Sequence, residues 1–140
     1  MKYKYTQAHM RAAHLYAELS YARRLKVGAI VVKEDRIISI GYNGMPSGWD
    51  NNCEFEQEDG TLKTRPEVLH AETNAVAKLA RSSESGLDAT LFVTHSPCLD
   101  CAKIIYQSGI KHVYYATDYR DNSGIAFLRN SGIQVDKLDV

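Results

Sequence analysis

The sequence predicts an α/β fold, a three-layer α/β/α arrangement with helices on both faces of a five-stranded mixed sheet. Three observations carry this expectation. In the second half of the chain, short apolar runs alternate with segments of helical spacing, a pattern that implies right-handed crossovers and parallel neighbouring strands. In the first half, two apolar runs are separated only by Lys33-Glu34-Asp35-Arg36, which suits an antiparallel pair. Finally, 140 residues, 44% hydrophobic and 24% charged, fit one globular domain over residues 1–140, with no internal repeat and no linker.

The elements follow in order. Over residues 6–21, Met10, Ala13, Ala17 and Tyr21 recur at helical spacing, with Ala12 and Tyr16 beside them, predicting a first helix with one buried stripe. Residues 27–32 and 37–42 read as the two antiparallel strands. Residues 43–69 are rich in Gly, Asn, Asp and Glu and show little periodicity. So long a connection, against a usual loop of about 4–6 residues, points to a functional segment. Helical spacing returns over 70–81 through Ala71, Ala75, Val76, Leu79 and Ala80. A strand over 89–94, a helix over 98–108 stopped by Gly109, a strand over 112–116, a helix over 123–130 stopped by Gly132 and a strand over 133–138 complete the chain.

Charge and cysteine content narrow the function. Seventeen basic and seventeen acidic residues give a formal net charge of zero, so there is no general positive field for nucleic acid or an anionic membrane surface. Any bound anion must be caught locally. Residues 1–6 lack a secretory pattern, and no stretch approaches the roughly 18 apolar residues of a membrane span, so the expected location is the cytoplasm. Three cysteines, Cys53, Cys98 and Cys101, cannot close a disulfide framework; metal binding or catalysis is the better use of the close pair.

That pair lies in Pro97-Cys98-Leu99-Asp100-Cys101, and a second short piece, His70-Ala71-Glu72, opens the preceding helix. Imidazole and thiolate are zinc donors. With Pro97 at the first helical position, Cys98 and Cys101 fall one turn apart, where the helix dipole favours thiolates. Residues two apart on a helix diverge by about 200°, so His70 and Glu72 share a site only if His70 stands at the helix edge. Zn²⁺ with two thiolates and a neutral imidazole is already charge-balanced. Glu72 is therefore expected to stay off the metal and to take a proton from the water that the metal activates. A redox C-x-x-C or a closed structural site with Cys53 as fourth ligand are the alternatives that the pair alone would allow, and Glu72 argues against both.

H-x-E combined with P-C-x-x-C resembles the zinc-dependent nucleobase deaminases. Gly41-Tyr42-Asn43-Gly44-Met45-Pro46-Ser47-Gly48, His70-Ala71-Glu72-Thr73-Asn74-Ala75, Ser96-Pro97-Cys98 and Gln107-Ser108-Gly109-Ile110, with Lys26-Val27-Gly28-Ala29 ahead of them, resemble in the same order the deoxycytidylate deaminase family of the cytidine-deaminase-like superfamily. The zinc pattern alone would also suit deaminases of tRNA adenosine, guanine or free cytidine; the Gly-Tyr-Asn-Gly-Met-Pro run narrows the choice.

The resemblance implies a zinc enzyme that hydrolyses dCMP to dUMP and ammonia, supplying dUMP for thymidylate synthesis. It implies His70, Cys98 and Cys101 as metal ligands and Glu72 as the catalytic acid and base. The Ala71 amide and the Ser96 backbone would hold the base, Asn43 the sugar hydroxyl, and Arg24, Lys26 and Tyr119 the 5′-phosphate. For Arg24 the physical case is bidentate pairing with a phosphate, although Arg23, Arg24 and Lys26 equally suit a solvated helix end. Family members are commonly hexamers activated by dCTP and inhibited by dTTP with Mg²⁺, which places Asn43, Gly44, Met45, Pro46 and Gly48 near an effector. The acidic loop residues Asp50, Glu54, Glu56, Glu58 and Asp59 would repel a bare triphosphate, and Mg²⁺ reverses that sign. Nothing at metal-ligand spacing surrounds His9, His14, His95 or His112, and with only Cys53 in the long loop no second zinc is expected. Two other classes compete: a deaminase acting within nucleic acid, disfavoured by the zero net charge, and a non-catalytic zinc module, which would leave Glu72 without a purpose.

Overall fold

Alternate residues of the first strand serve two different cores, and the architecture follows from that. The computed structural model describes residues 1–140. In β1 (Gly28–Lys33), Ala29 and Val31 face one hydrophobic cluster while Ile30 and Val32 face another. β5 (Thr90–His95) divides likewise, Leu91 and Val93 to one side and Phe92 to the other. A strand buried on both faces has no polar alternation, which is why these segments read as nearly continuous apolar runs.

The sheet has the order β2-β1-β5-β6-β7, with β2 (Arg36–Tyr42), β6 (His112–Thr117) and β7 (Gln134–Lys137). β1 pairs antiparallel with β2 and β5, whereas β5–β6 and β6–β7 are parallel. The mixed five-stranded sheet and its parallel second half are as the sequence predicts. α1 (Tyr3–Ala17) covers one face through Met10 and Ala13. α2 (Ala71–Ala80), α3 (Leu99–Gln107) and α4 (Ser123–Asn130) cover the other, through Ala75 and Leu79, Ala102 and Ile105, and Ile125 and Leu128. No helix is long and apolar enough to cross a membrane.

Three details depart from the sequence reading. α1 starts earlier and ends at Ala17, so its buried stripe is Thr6, Met10, Ala13 and Ala17, and Tyr21 is exposed. The helix stops because Ser20 leaves it: its hydroxyl donates to the Asn43 carbonyl at 2.7 Å and accepts the Ala22 amide, turning the chain toward β1. α3 begins at Leu99, with Cys98 as its extended N-cap, so Pro97 lies ahead of the helix rather than at its first position. Lastly, the long segment over 43–69 contains a hairpin, β3 (Glu54–Glu56) and β4 (Leu62–Thr64), closed by a turn in which Gly60 takes φ +83°.

Two glycines set how closely helices approach the sheet. A Cβ on Gly28 would overlap the Ala13 carbonyl oxygen and sit 2.7 Å from the Ala17 nitrogen; one on Gly41 would overlap the Ala71 carbonyl oxygen and sit 2.6 Å from the Ala75 nitrogen. These obstacles are backbone atoms, which cannot rotate away. Gly28→Ala is therefore expected to lose about 1–3 kcal/mol of stability, read as a lower urea midpoint. Gly44→Ala, with nothing within 4 Å of its added carbon, should leave that midpoint nearly unchanged.

Candidate metal centre and active site

His70 caps α2 in an extended conformation, φ −74° and ψ 157°, and Cys98 caps α3 in the same way, φ −71° and ψ 170°. This answers the geometric question posed by His70 and Glu72. Because His70 stands just outside the helix and Glu72 within its first turn, the 200° divergence of a regular helix does not apply between them. The two helix starts converge: His70 Nδ1 lies 3.3 Å from Cys101 Sγ and 3.6 Å from Cys98 Sγ. One donor atom from each of the three residues falls within 4.8 Å of the others.

The electrostatics of this cluster suit a divalent cation. Hydrogen bonds from Cys101 and His70 pull the Cys98 thiol down to about 4, and its interaction with Cys98 holds the His70 imidazole above its ordinary value. Cys101 is pushed the other way by its hydrogen bond to Cys98 and by burial. One proton leaves readily and the second is retained, as expected of two thiols sharing a small site until a cation balances them. The donor chemistry of one imidazole and two thiols fits zinc, with Glu72 free of the set.

Glu72 is 4% exposed, and burial pushes its carboxyl up to about 7 against the opposing pull of its own amide and of His70. A carboxyl balanced near neutrality can both accept and return a proton. It opens into a cavity of ≈ 520 Å³, within the usual range of about 300–1,000 Å³ for small-ligand sites.

The structure brings most of the expected substrate residues to that cavity. Arg24, Asn43, Ala71, Ser96 and Tyr119 line it together with His70, Glu72 and Cys98. Ala71 is the first residue of α2, where a backbone amide has no carbonyl of its own helix to meet. Ser96 is tied by its amide to the Thr117 carbonyl, and its hydroxyl accepts the Tyr119 amide at 2.7 Å, fixing the loop that carries Tyr119. Asn43 is engaged with backbone: its Oδ1 accepts the Val27 amide at 2.9 Å and its Nδ2 donates to the Leu25 carbonyl at 2.8 Å, leaving one N–H for a ligand. Lys26 is exposed and lies outside the cavity wall.

Gly44, Met45, Pro46 and Gly48 also lie outside this cavity. Gly44 pairs with Leu69 through backbone, and Met45 borders a second cavity of ≈ 400 Å³ with Trp49, Asp50, Arg65 and Glu67. The acidic residues of the long loop do not form one surface. Asp50 and Asp59 accept nearby loop amides, Glu54 is buried, and Glu56 and Glu58 are exposed. Cys53 is buried in the active-site wall, apart from the three-donor cluster, and burial pushes its thiol up.

Six polar or charged lining residues are not placed at the site by the sequence: Glu54, Thr64, His95, Thr117, Asp118 and Arg120. His95 has no ligand spacing, and Arg120 is one loop cation among many. Glu54 and Thr64 were detectable in principle, since Asp59-Gly60 is a hairpin turn signal, but strands of three residues are too short to show alternation.

Comparison with known proteins agrees with this geometry. A sequence model of the cytidine and deoxycytidylate deaminase zinc-binding region matches residues 3–117. Deoxycytidylate deaminase of Enterobacteria phage T4 is 35% identical over 165 aligned positions, covering 90% of this chain and 86% of that one. The Homo sapiens deoxycytidylate deaminase is 37% identical over 118 positions, covering 81% and 65%. A dCMP deaminase from the cyanophage S-TIM5, solved in complex with dCMP and dUMP, superposes with a TM-score of 0.92 at 50% identity over 99% of both chains. With a zinc-type donor set beside a buried glutamate at the place where this shared fold joins two helix starts, the chain belongs to the deoxycytidylate deaminase family of the cytidine-deaminase-like superfamily.

Proposed function

We propose that this enzyme hydrolyses dCMP to dUMP and ammonia, and so supplies dUMP for thymidylate synthesis. The observation that carries the reading is the buried Glu72 carboxyl beside the His70, Cys98 and Cys101 donors, in a cavity that Arg24 also lines. A zinc ion held by those three residues supplies Lewis acidity that makes water nucleophilic near neutral pH.

The chain's own residues do the rest. Glu72 takes a proton from the attacking water and passes it to N3 of the cytosine, then takes the remaining proton of the added hydroxyl and delivers it to the departing amine; water is consumed, the C4–N bond breaks and a carbonyl forms. The Ala71 amide at the α2 start is free to donate to the base O2, and the Ser96 backbone to accept from the amino group. The remaining N–H of Asn43 is directed to the sugar hydroxyl. Arg24 and Tyr119 serve the 5′-phosphate, Arg24 by the planar fork that matches a phosphate's oxygens.

The proposal extends to regulation. dCTP as activator and dTTP as inhibitor, each with Mg²⁺, bind at the segment from Asn43 to Gly48, in a cytoplasmic homohexamer. Support comes from the second cavity beside Met45, where Arg65 offers a cation and Asp50 and Glu67 offer oxygen ligands to a metal accompanying the phosphates. Exposed Leu99, Ile104 and Tyr106 on α3 provide apolar surface for assembly.

Ammonia release from dCMP, deoxycytidine, CMP and a short adenosine-containing RNA hairpin tests the substrate assignment, with dCMP expected to be preferred. Preference for the RNA would overturn it. Glu72→Ala should keep its zinc and fold while losing about 10²–10⁴-fold in turnover. Elemental analysis should find one zinc per chain in the wild type and in Cys53→Ser, and little in Cys98→Ser or Cys101→Ser; zinc lost from Cys53→Ser would instead indicate a closed four-ligand site. Initial rates at low dCMP should rise with dCTP and fall with dTTP when Mg²⁺ is present, and rates indifferent to both would remove the regulatory proposal.

A further inference from the structure

Only two carboxylates in the molecule are buried, Glu72 and Glu54, and both line the same cavity. The first has a chemical task. Glu54, 1% exposed, makes no contact with the metal-type cluster, and burial of a charge without function is costly. What it does is hold one short segment of chain. Its Oε2 accepts the backbone amides of Arg23 at 2.8 Å and Arg24 at 3.0 Å, and its Oε1 accepts Arg23 Nε at 3.3 Å.

Glu54 stands directly opposite Thr64 in the β3–β4 hairpin. Thr64 grips the same arginine from the other end: its hydroxyl accepts Arg24 Nη1 at 2.9 Å. One cross-strand pair therefore fixes both the backbone amide and the guanidinium of Arg24. Arg23, by contrast, turns outward, where its Nη2 donates to the Glu54 carbonyl at 3.2 Å and to Asn52 Oδ1 at 3.1 Å. It does not line the cavity, whereas Arg24 does. An arginine loses much rotamer freedom when it is immobilised on a ligand, so a residue already held in place binds more tightly.

We propose that Glu54 and Thr64 are positioning residues for nucleotide recognition: the hairpin pair holds Arg24 at both ends, aimed at the substrate's 5′-phosphate. The inference rests on the reading of Arg24 as a phosphate ligand. It assigns a task to the hairpin within the long segment, which is to select a nucleotide over a nucleoside.

Steady-state kinetics on dCMP and deoxycytidine, for wild type, Arg24→Gln, Glu54→Gln, Thr64→Val and the Glu54→Gln/Arg24→Gln double variant, test it. Glu54→Gln and Thr64→Val should each raise KM for dCMP, by about tenfold for the charged partner and less for the hydroxyl, with kcat within about twofold. Neither should change the deoxycytidine rate comparably, and Glu54→Gln should add little once Arg24 is already Gln. Should Glu54→Gln fail to fold, Thr64→Val, at a half-buried surface position, carries the same KM-specific expectation. Equal losses on both substrates, or a full additive loss in the double variant, would overturn the proposal. A wild-type preference for dCMP that Arg24→Gln abolishes but Glu54→Gln and Thr64→Val leave intact would sink the inference alone. A wild type indifferent to the phosphate would sink the reading of Arg24 beneath it.

Discussion

Two helix starts have to meet. Everything at the site depends on the approach of the α2 and α3 N-termini, which sets His70 Nδ1 3.3 Å from Cys101 Sγ and leaves Glu72 buried beside them. The sheet enforces this approach. α2 lies against β1 and β2, at a distance that Gly41 permits, and α3 follows directly from the end of β5, the neighbour of β1. Extended caps at His70 and Cys98 then swing both side chains out of helical phase and toward one another. The same helix ends contribute partial positive charge, which favours the thiolates and offers amides to a ligand.

Around that centre, the chain divides its labour between rigid and irregular parts. Glu72 and the three metal-type donors sit at the starts of helices packed into the larger core, which fixes their positions. The cavity-lining residues proposed for sugar and phosphate recognition come from segments outside the regular sheet: Arg24 ahead of β1, Asn43 after β2, Tyr119 after β6, and the hairpin. These segments are held by polar ties, Glu54 to Arg23 and Arg24, Asn43 to Leu25 and Val27, and Ser96 to Tyr119. A net charge of zero is consistent with this arrangement, because recognition of one small anion needs a few placed cations rather than a general field.

Legibility in the sequence followed the strength of the local signal. Strands buried on both faces announce themselves by unbroken apolar runs, and the helices of the second half by spacing and terminal glycines. α1 was legible as a helix, but its end was not, because Ser20 breaks it through a hydrogen bond to Asn43, far away in sequence. The start of α3 is set by a similar long-range contact: Pro97 suits a first helical turn, yet here it precedes the cap and its carbonyl packs where α4 passes at Gly124. The three-residue strands of the hairpin carried no periodic signal at all, and so Glu54 looked like one member of an acidic run when it is a buried carboxylate with its own partners.

The sequence by itself determined the chemistry: which residues offer imidazole, thiol and carboxyl groups, at spacings that only helix starts turn into a common site, and in an order that resembles one family. Residue type and local spacing are written along the chain, so they can be read there. Tertiary structure decided who meets whom beyond that range. It put Cys53 in the wall and not in the donor cluster, left Lys26 outside the cavity, engaged the Asn43 amide with backbone, and set Glu54 and Thr64 across Arg24. These outcomes depend on contacts between segments separated by tens of residues, which become definite only when the sheet brings the segments together.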